Sequence, residues 1–327
     1  MNSEKREQQP LFSVIRSLFS VKLLIPLIYT IVILILVIYQ WNEQILVWQD
    51  GSGPLFRNLM DFPAYVRHGF DPAEIQTIPR DDTWYRFDSP QLRIKNSPLP
   101  DLPQRGFLSP RPLPPQEFTI LIPVELDRAA LESLKSAGAE PGIFLGYIGE
   151  NWEIYFNGHL VQREMHLTED GQIISRRNWR SVHFPVDGSL LLEGTNILVF
   201  RIIGDPTYGV TGLYYSSPYY LDDYSLIKRR HMDILPMILC GIFGYTAIYY
   251  FIIFLSVRKK EELYNLYYST ASVLLCVYTL MFSGIINNII PNSDISIRLE
   301  YISLFMVVPI LGLFIEHFGL RRITKIT

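Results

Sequence analysis

The sequence predicts a membrane protein of mixed α and all-β class: an N-terminal membrane helix, then an exported mostly-β domain, then at least three further membrane helices. Hydrophobic residues make up 49% of its 327 residues, more than a soluble protein needs. Four apolar runs are each long enough to cross a hydrocarbon core of roughly 30 Å. The roughly 190 residues between the first two runs are polar, with short alternating apolar segments that are typical of strands.

The first predicted span covers residues 23–42, where no charged residue interrupts the apolar run. The run ends in the bulky Tyr39 and Trp41 rather than in the small residues of a signal cleavage site, so we expect an uncleaved anchor. Basic side chains precede it at Lys5, Arg6, Arg16 and Lys22. By the positive-inside rule, residues 1–22 then stay in the cytoplasm.

Three more spans are predicted behind the polar segment, at residues 234–255, 263–286 and 299–320. Basic residues follow the first and the last of them, which predicts a cytoplasmic tail at 321–327 and places residues 43–233 outside the cytoplasm. We therefore expect a multi-pass protein of the cell inner membrane with a periplasmic domain, and the lipid bilayer is its first partner.

A basic cluster, Lys228-Arg229-Arg230-His231, stands on the exported side of the second span, where the positive-inside rule disfavours it. Large folded domains are exported largely regardless of charge, so the other loops decide the orientation. We interpret the cluster either as a set of solvated basic side chains that extend to the lipid headgroups or as an element that couples the domain to the helices.

The exported part divides into a connector at residues 43–117 and a β domain at residues 118–230. Eight prolines between Pro90 and Pro115 exclude both helix and central strand there. Apolar side chains then alternate from Phe118 to Leu126, which predicts a strand. Further strands are predicted at residues 143–148, 152–156, 180–184, 196–203 and 212–215, with Asn157-Gly158 as a hairpin turn. Short strands separated by turns indicate a sandwich or jelly roll.

Composition and spacing exclude several classes of function. The net charge of -3 and the lack of a sustained basic face argue against a nucleic-acid partner. Cys240 and Cys276 lie in apolar runs, and His159, His166 and His183 lack metal-site spacing, so we expect neither a disulfide framework nor a metal.

Catalytic motifs are missing as well. The carboxylate pairs Asp81-Asp82 and Asp222-Asp223 are adjacent, so on a strand the two side chains of a pair point to opposite faces and cannot act together. The sequence contains no phosphate-binding loop and no nucleophile elbow. We therefore expect no catalytic residue, no cofactor and no enzymatic activity of this chain.

Aromatic residues are the best ligand candidates, because sugars pack their C–H faces on rings while polar neighbours bind the hydroxyls. The ligand-binding candidates are Trp152, Trp179, Asp205 and Tyr208. We expect Trp179 and the loop from Asp205 to Tyr208 to be exposed. Tyr155 and Tyr214 are also near the β region, but Tyr155 alternates with apolar neighbours and is expected in the core.

Three segments resemble the galactose-binding-like jelly roll found in the sugar-binding domain of family 2 glycoside hydrolases: WEIYFNGHLV, RSVHFP and LLEGTNILVFRIIGDPTYGVTGLY. The match covers about 75 residues. The residues that carry it are Tyr155, Asn157 and Gly158, then Gly194, Asn196 and Leu198. The resemblance implies an accessory sugar-binding fold rather than a catalytic domain.

The order of the parts resembles the bacterial seven-transmembrane receptors with diverse intracellular signalling modules. This resemblance implies a signal-transduction receptor whose outer domain binds a carbohydrate or another small ligand and whose helices relay the event to a cytoplasmic output module. Only three spans follow the domain and no output module follows them, so we expect a truncated chain. We expect a cytoplasmic signalling partner, and we keep a homodimer as an alternative assembly. The alternatives are a structural or assembly protein that binds envelope glycan or protein, and the N-terminal part of a membrane-bound cyclase, phosphatase or kinase.

Overall fold

A computed structural model describes most of the chain after residue 52. The described residues are 53, 55–79, 81–87, 92–103, 113–174, 178–213, 218–231, 234–290 and 293–320. By its internal contacts the chain divides into Met1–Gly51 and Ser52–Thr327, and every described residue belongs to the second unit. The predicted first span at 23–42 and the tail at 321–327 therefore lie outside the described residues.

The β domain is a sandwich of two antiparallel sheets. In chain order its strands are β1 (Arg57–Asn58), β2 (Ala64–His68), β3 (Tyr85–Phe87), β4 (Gln116–Leu126), β5 (Pro141–Gly149), β6 (Asn151–Phe156), β7 (His159–Glu164), β8 (Asn178–Pro185), β9 (Gly194–Gly204), β10 (Gly212–Leu213) and β11 (Tyr219–Asp223). One sheet has the order β3-β2-β4-β9-β6-β7. The other has the order β1-β11-β5-β10, with β8 also paired to β5. This architecture confirms the predicted sandwich.

The alternation of apolar residues builds the core between the sheets. β4 pairs with β9 along its whole length, from Gln116 opposite Gly204 to Leu126 opposite Gly194. Phe118, Ile120 and Ile122 of β4 point inward and are completely buried. Leu145 and Tyr219 of the other sheet belong to the same cluster. Burial of side chains of this size stabilises the fold by about 1.5–3 kcal/mol each.

The predicted hairpin turn at Asn157-Gly158 joins β6 to β7, and both residues have positive φ, 47° and 82°. The amide of Asn157 donates to the Asn196 side-chain oxygen at 2.8 Å and to the Leu190 carbonyl at 2.7 Å. In return, the backbone N–H of Ile197 donates to the Asn157 side-chain oxygen at 2.7 Å. The two asparagines that carry the resemblance to the jelly roll thus fasten the turn to the start of β9.

The β domain begins earlier than the predicted boundary at residue 118. β1, β2 and β3 come from the segment assigned to the connector, and β2 pairs with β4, with Tyr65 opposite Leu121. Val66 of β2 is fully buried in the sandwich core. The proline density that suggested a connector starts only at Pro90, and these three strands precede it.

Two helices of the β domain were not predicted, α1 (Arg128–Ser136) and α2 (Tyr224–Arg230). Each begins after an aspartate whose carboxylate accepts a backbone N–H of the first turn: Asp127 from Ala130 at 2.7 Å, and Asp223 from Ser225 at 2.8 Å. Such caps satisfy donors that a helix leaves unpaired at its start. α2 is the last element of the β domain before the helical part of the chain.

The helical part consists of α3 (Ile234–Val257), α4 (Leu263–Phe282), the short α5 (Ile286–Ile289) and α6 (Ser293–Leu320). Among the described residues, three helices are long and apolar enough to cross a membrane, which confirms the expectation of at least three spans after the β domain. α4 packs against both α3 and α6 through small residues, and the Ser269 hydroxyl donates to the Ala247 carbonyl at 2.8 Å. Large apolar side chains on the outside, such as Ile248 and Phe305, are suited to contact with lipid.

Candidate functional site

The outer face of the six-stranded sheet, which points away from the sandwich core, carries a second apolar cluster. Leu121, Val199 and Tyr155 lie opposite one another on β4, β9 and β6. The segment formed by residues 69–79 and 81–84 folds over them and contributes Phe70, Ile75 and Trp84 to the cluster. This packing fixes an otherwise irregular segment against the sheet.

A cavity of about 690 Å³ opens between this segment and the beginning of β9. This volume is typical of cavities that bind small molecules in other proteins, which measure about 300–1,000 Å³. The walls combine apolar and polar side chains, chiefly Ile78, Trp84, Ile197, Glu74, Gln76, Asp81 and Thr195. An indole beside several groups that donate or accept hydrogen bonds suits a polyhydroxylated ligand.

The charges at the cavity are held in place by their neighbours. The Arg67 guanidinium lies over the Trp84 ring, 5.2 Å from its centroid, and forms an ion pair with Glu74. The Asp81 carboxylate accepts hydrogen bonds from the hydroxyl of Thr83 at 2.5 Å and from its backbone N–H at 3.0 Å. These two bonds lower the pKa of Asp81, so it is an anion at neutral pH.

A row of alternating charges crosses the same face beside the second cluster. Arg201 of β9 contacts Glu117 at 2.6 Å and Glu153 at 2.7 Å, and Arg163 contacts Glu153 at 3.2 Å. The hydroxyl of Tyr155 donates to Glu153 at 2.8 Å. Burial, and then this hydrogen bond, raises the pKa of Tyr155 to about 12. Because the row contains two arginines and two glutamates, it compensates its own charges.

None of the described side chains that line this cavity is a sequence-predicted ligand residue. Trp152 is 2% exposed in the core between the sheets. Asp205 was expected to be exposed, but it is fully buried: its carboxylate accepts the backbone N–H groups of Leu113 at 3.0 Å and Thr207 at 2.8 Å. An aspartate that ends a strand and closes its own turn becomes buried in this way.

The other predicted residues are spread over the domain. Tyr208 is half-buried in the loop after β9. Trp179 belongs to β8 of the five-stranded sheet, and its side chain lies outside the described part of the structure, as does all of Tyr214. Ligand contact by these residues stays a prediction.

Sequence reasoning missed Trp84 and Gln76, because both fall in the segment assigned to the connector. A signal was present, since Asp81-Asp82-Thr83 is a turn sequence and the run Trp84-Tyr85-Arg86-Phe87 favours a strand.

Two of the four residues of the basic cluster, Arg230 and His231, pack on the β domain at its junction with the helices. Arg230 forms a buried ion pair with Asp222 at 3.2 Å. The imidazole of His231 stacks on Phe144 with 3.6 Å between ring centroids, and it shares a hydrogen bond of 2.7 Å with the Tyr220 hydroxyl. Burial raises the pKa of Asp222.

Lys228 and Arg229 of the same cluster are exposed. The cluster therefore contains both two residues packed on the β domain, Arg230 and His231, and two exposed cations, Lys228 and Arg229.

A β sandwich followed by three helices that can cross a membrane defines an integral membrane protein with an extramembrane domain. Within that class, residues 233–326 match the family described as 7TM diverse intracellular signalling. This match confirms the resemblance noted in the sequence. The helical part is therefore similar to the membrane region of sensory receptors, and that region is not a catalytic domain. No curated protein matches the sequence.

Solved structures similar to the chain include glycoside hydrolases. A β-glycosidase from Bacteroides vulgatus is 15% identical over 51% of this chain and 20% of its own, with a TM-score of 0.33. A family 2 glycosyl hydrolase from Bacteroides cellulosilyticus is 14% identical over 51% and 20%, with a TM-score of 0.34. A β-glucuronidase from Bacteroides uniformis is 15% identical over 51% and 17%, with a TM-score of 0.32. The matches span about a fifth of these enzymes, and at such TM-scores they carry no argument about function.

Proposed function

We propose that this protein is a signal-transduction receptor whose β domain binds a carbohydrate or another small polyhydroxylated ligand in the cavity beside Trp84. The observation that carries this proposal is the composition of the cavity, in which an indole stands beside the ionised Asp81 and the hydroxyl of Thr195. The part of the Trp84 ring that lines the cavity can contact the C–H groups of a sugar, while carboxylate and hydroxyl oxygens accept its O–H groups.

The relay to the membrane starts from the junction at α2. The cavity and α2 lie against opposite outer faces of the sandwich, so a ligand-induced shift has to cross the core between the two sheets. The ion pair of Arg230 with Asp222 and the ring stack of His231 on Phe144 tie the end of α2 to the five-stranded sheet. A displacement of that sheet therefore moves the start of α3. The ligand biases this equilibrium only if it binds one of the two arrangements more tightly.

We place the β domain in the periplasm and the chain in the inner membrane, with both termini in the cytoplasm. The basic residues Arg258, Lys259 and Lys260 between α3 and α4 support this orientation. A cytoplasmic signalling partner then receives the output.

Ligand binding can be tested on the full chain in detergent by thermal-shift screening and calorimetry with mono- and oligosaccharides. We expect a sugar that raises the unfolding temperature, and we expect Asp81→Asn to weaken its binding by about tenfold, the effect of losing one charged hydrogen bond of roughly 1.5 kcal/mol.

Asp170→Asn is the matched control, because Asp170 is exposed and does not line the cavity. No shift with any sugar, or an equal loss of affinity in both variants, contradicts the proposed site. Retention on isolated envelope glycan without binding of small sugars favours an assembly role instead.

A further inference from the structure

A second cavity lies at the junction between the β domain and the helices. It has a volume of about 580 Å³. One end of it carries the cationic or N–H-bearing side chains of His183, Lys228 and His231. The rest of the wall is apolar and includes Ile234, Met237 and Ile285.

The two ends of the cavity belong to different environments. Lys228 lies on α2 of the β domain, before the apolar run begins. Ile234 and Met237 lie in the first turns of α3, and Ile285 lies between α4 and α5, at the same end of the helices. The cavity therefore straddles the level at which the polar domain meets the membrane-spanning segments.

Lys228 is well placed to bind an external anion. Arg230, two residues further on, is already engaged by the buried carboxylate of Asp222. Lys228 is exposed, and within the described ranges it forms no salt bridge. Ile234, Met237 and Ile285 are 37%, 42% and 38% exposed, so the apolar wall is open on the side of the helices.

We propose that this junction cavity binds an anionic membrane phospholipid, with the phosphate at Lys228 and His183 and an acyl chain along Met237 and Ile285. A cation at one end and an apolar wall at the other match the two parts of an anionic amphiphile. A sugar does not fit, because the wall offers its hydroxyl groups few partners. The site is independent of the Trp84 cavity, since it lies against the other sheet.

A lipid in this position contacts both His231, which is packed on the β domain, and the first turns of α3. It therefore binds at the place where domain and helices are joined. A bound lipid therefore stabilises the arrangement of α2 and α3 in which the cavity is open.

The proposal is tested by native mass spectrometry of the full chain released from nanodiscs of phosphatidylglycerol or phosphatidylcholine with identical acyl chains. We expect one phosphatidylglycerol to be retained per chain in preference to phosphatidylcholine. Lys228→Ala should lower this affinity about fivefold, the effect of one cation at a membrane surface. Arg229→Ala removes a neighbouring exposed charge that does not line the cavity, and it should cause a much smaller loss.

A second pair of variants tests the apolar wall. Met237→Trp fills the cavity and should abolish retention, whereas Ile248→Trp, on the exposed side of the same helix, should leave it unchanged. Equal losses for Lys228→Ala and Arg229→Ala overturn the proposal, because they indicate diffuse attraction to the surface. Displacement of the lipid by millimolar inorganic phosphate overturns it in favour of a free anion.

Discussion

Asn157 combines two roles that only a few residue types can fill together. Its φ of 47° lies in the left-handed region, which asparagine tolerates better than most residues. Its amide also bridges Asn196 and the carbonyl of Leu190. The hairpin and the start of β9 are therefore joined through a single side chain.

We expect Asn157→Ala to lower the free energy of unfolding of the β domain by about 2–3 kcal/mol, because it strains the turn and leaves buried polar groups unpaired. Asn157→Gly keeps the turn geometry and loses only the side-chain bonds, so it should cost clearly less. Urea unfolding of the full chain in detergent, followed by tryptophan fluorescence, measures both. If the alanine and glycine variants are equally stable, turn strain contributes nothing.

At the scale of elements, α2 is held to the five-stranded sheet by a buried ion pair rather than by apolar packing alone. Arg230 is 7% exposed in its side chain and Asp222 is completely buried. Removing one partner of such a pair leaves the other charge buried and uncompensated, which costs about 3–5 kcal/mol.

Asp222→Ala should therefore loosen α2, and trypsin should cleave at Lys228 and Arg229 about tenfold faster or more. Asp170→Ala, which changes an exposed aspartate away from the junction, should cleave at the native rate. In the double variant Asp222→Ala, Arg230→Met, the unpaired charge is gone and protection should largely return. Cleavage that is equally slow in all three would mean that the ion pair does not hold the helix.

Strands with local alternation could be predicted from the sequence, whereas elements that depend on distant partners could not. β4 shows its apolar face over nine residues, from Phe118 to Leu126, and its prediction is confirmed. β1 has only two residues and acquires its strand conformation by pairing with β11, more than 160 residues away in the chain. The Trp84 cavity also depends on distant partners, because its walls combine residues 73–79, 81 and 84 with Thr195 and Ile197 of β9.

At the scale of the whole molecule, the orientation in the membrane determines which aqueous compartment, periplasm or cytoplasm, each cavity faces. It can be measured by labelling single cysteines with a membrane-impermeant maleimide, after Cys240 and Cys276 have been changed to alanine. We expect Asp170→Cys to be labelled in cells whose outer membrane alone is permeable, and Lys259→Cys to be labelled only after the inner membrane is opened.

Both positions are exposed in the structure, so a lack of labelling reports the membrane barrier rather than burial. Labelling of Lys259→Cys in closed cells would reverse the proposed orientation and place the Trp84 cavity in the cytoplasm.

β4 contributes to apolar clusters on both of its faces, and this has a consequence for the unfolded chain. Ile120 and Ile122 enter the sandwich core while Leu121 enters the second cluster, so from Phe118 to Val124 only Thr119 is polar. Its long partner β9 lies some 70 residues further along the chain. Until β9 has been synthesised and can pair with it, β4 is an unpaired apolar segment of high β-propensity. Segments of this kind promote aggregation. Pro123 in the middle of β4 lacks a backbone N–H, which makes stacking between nascent chains less favourable and protects the protein before it is folded.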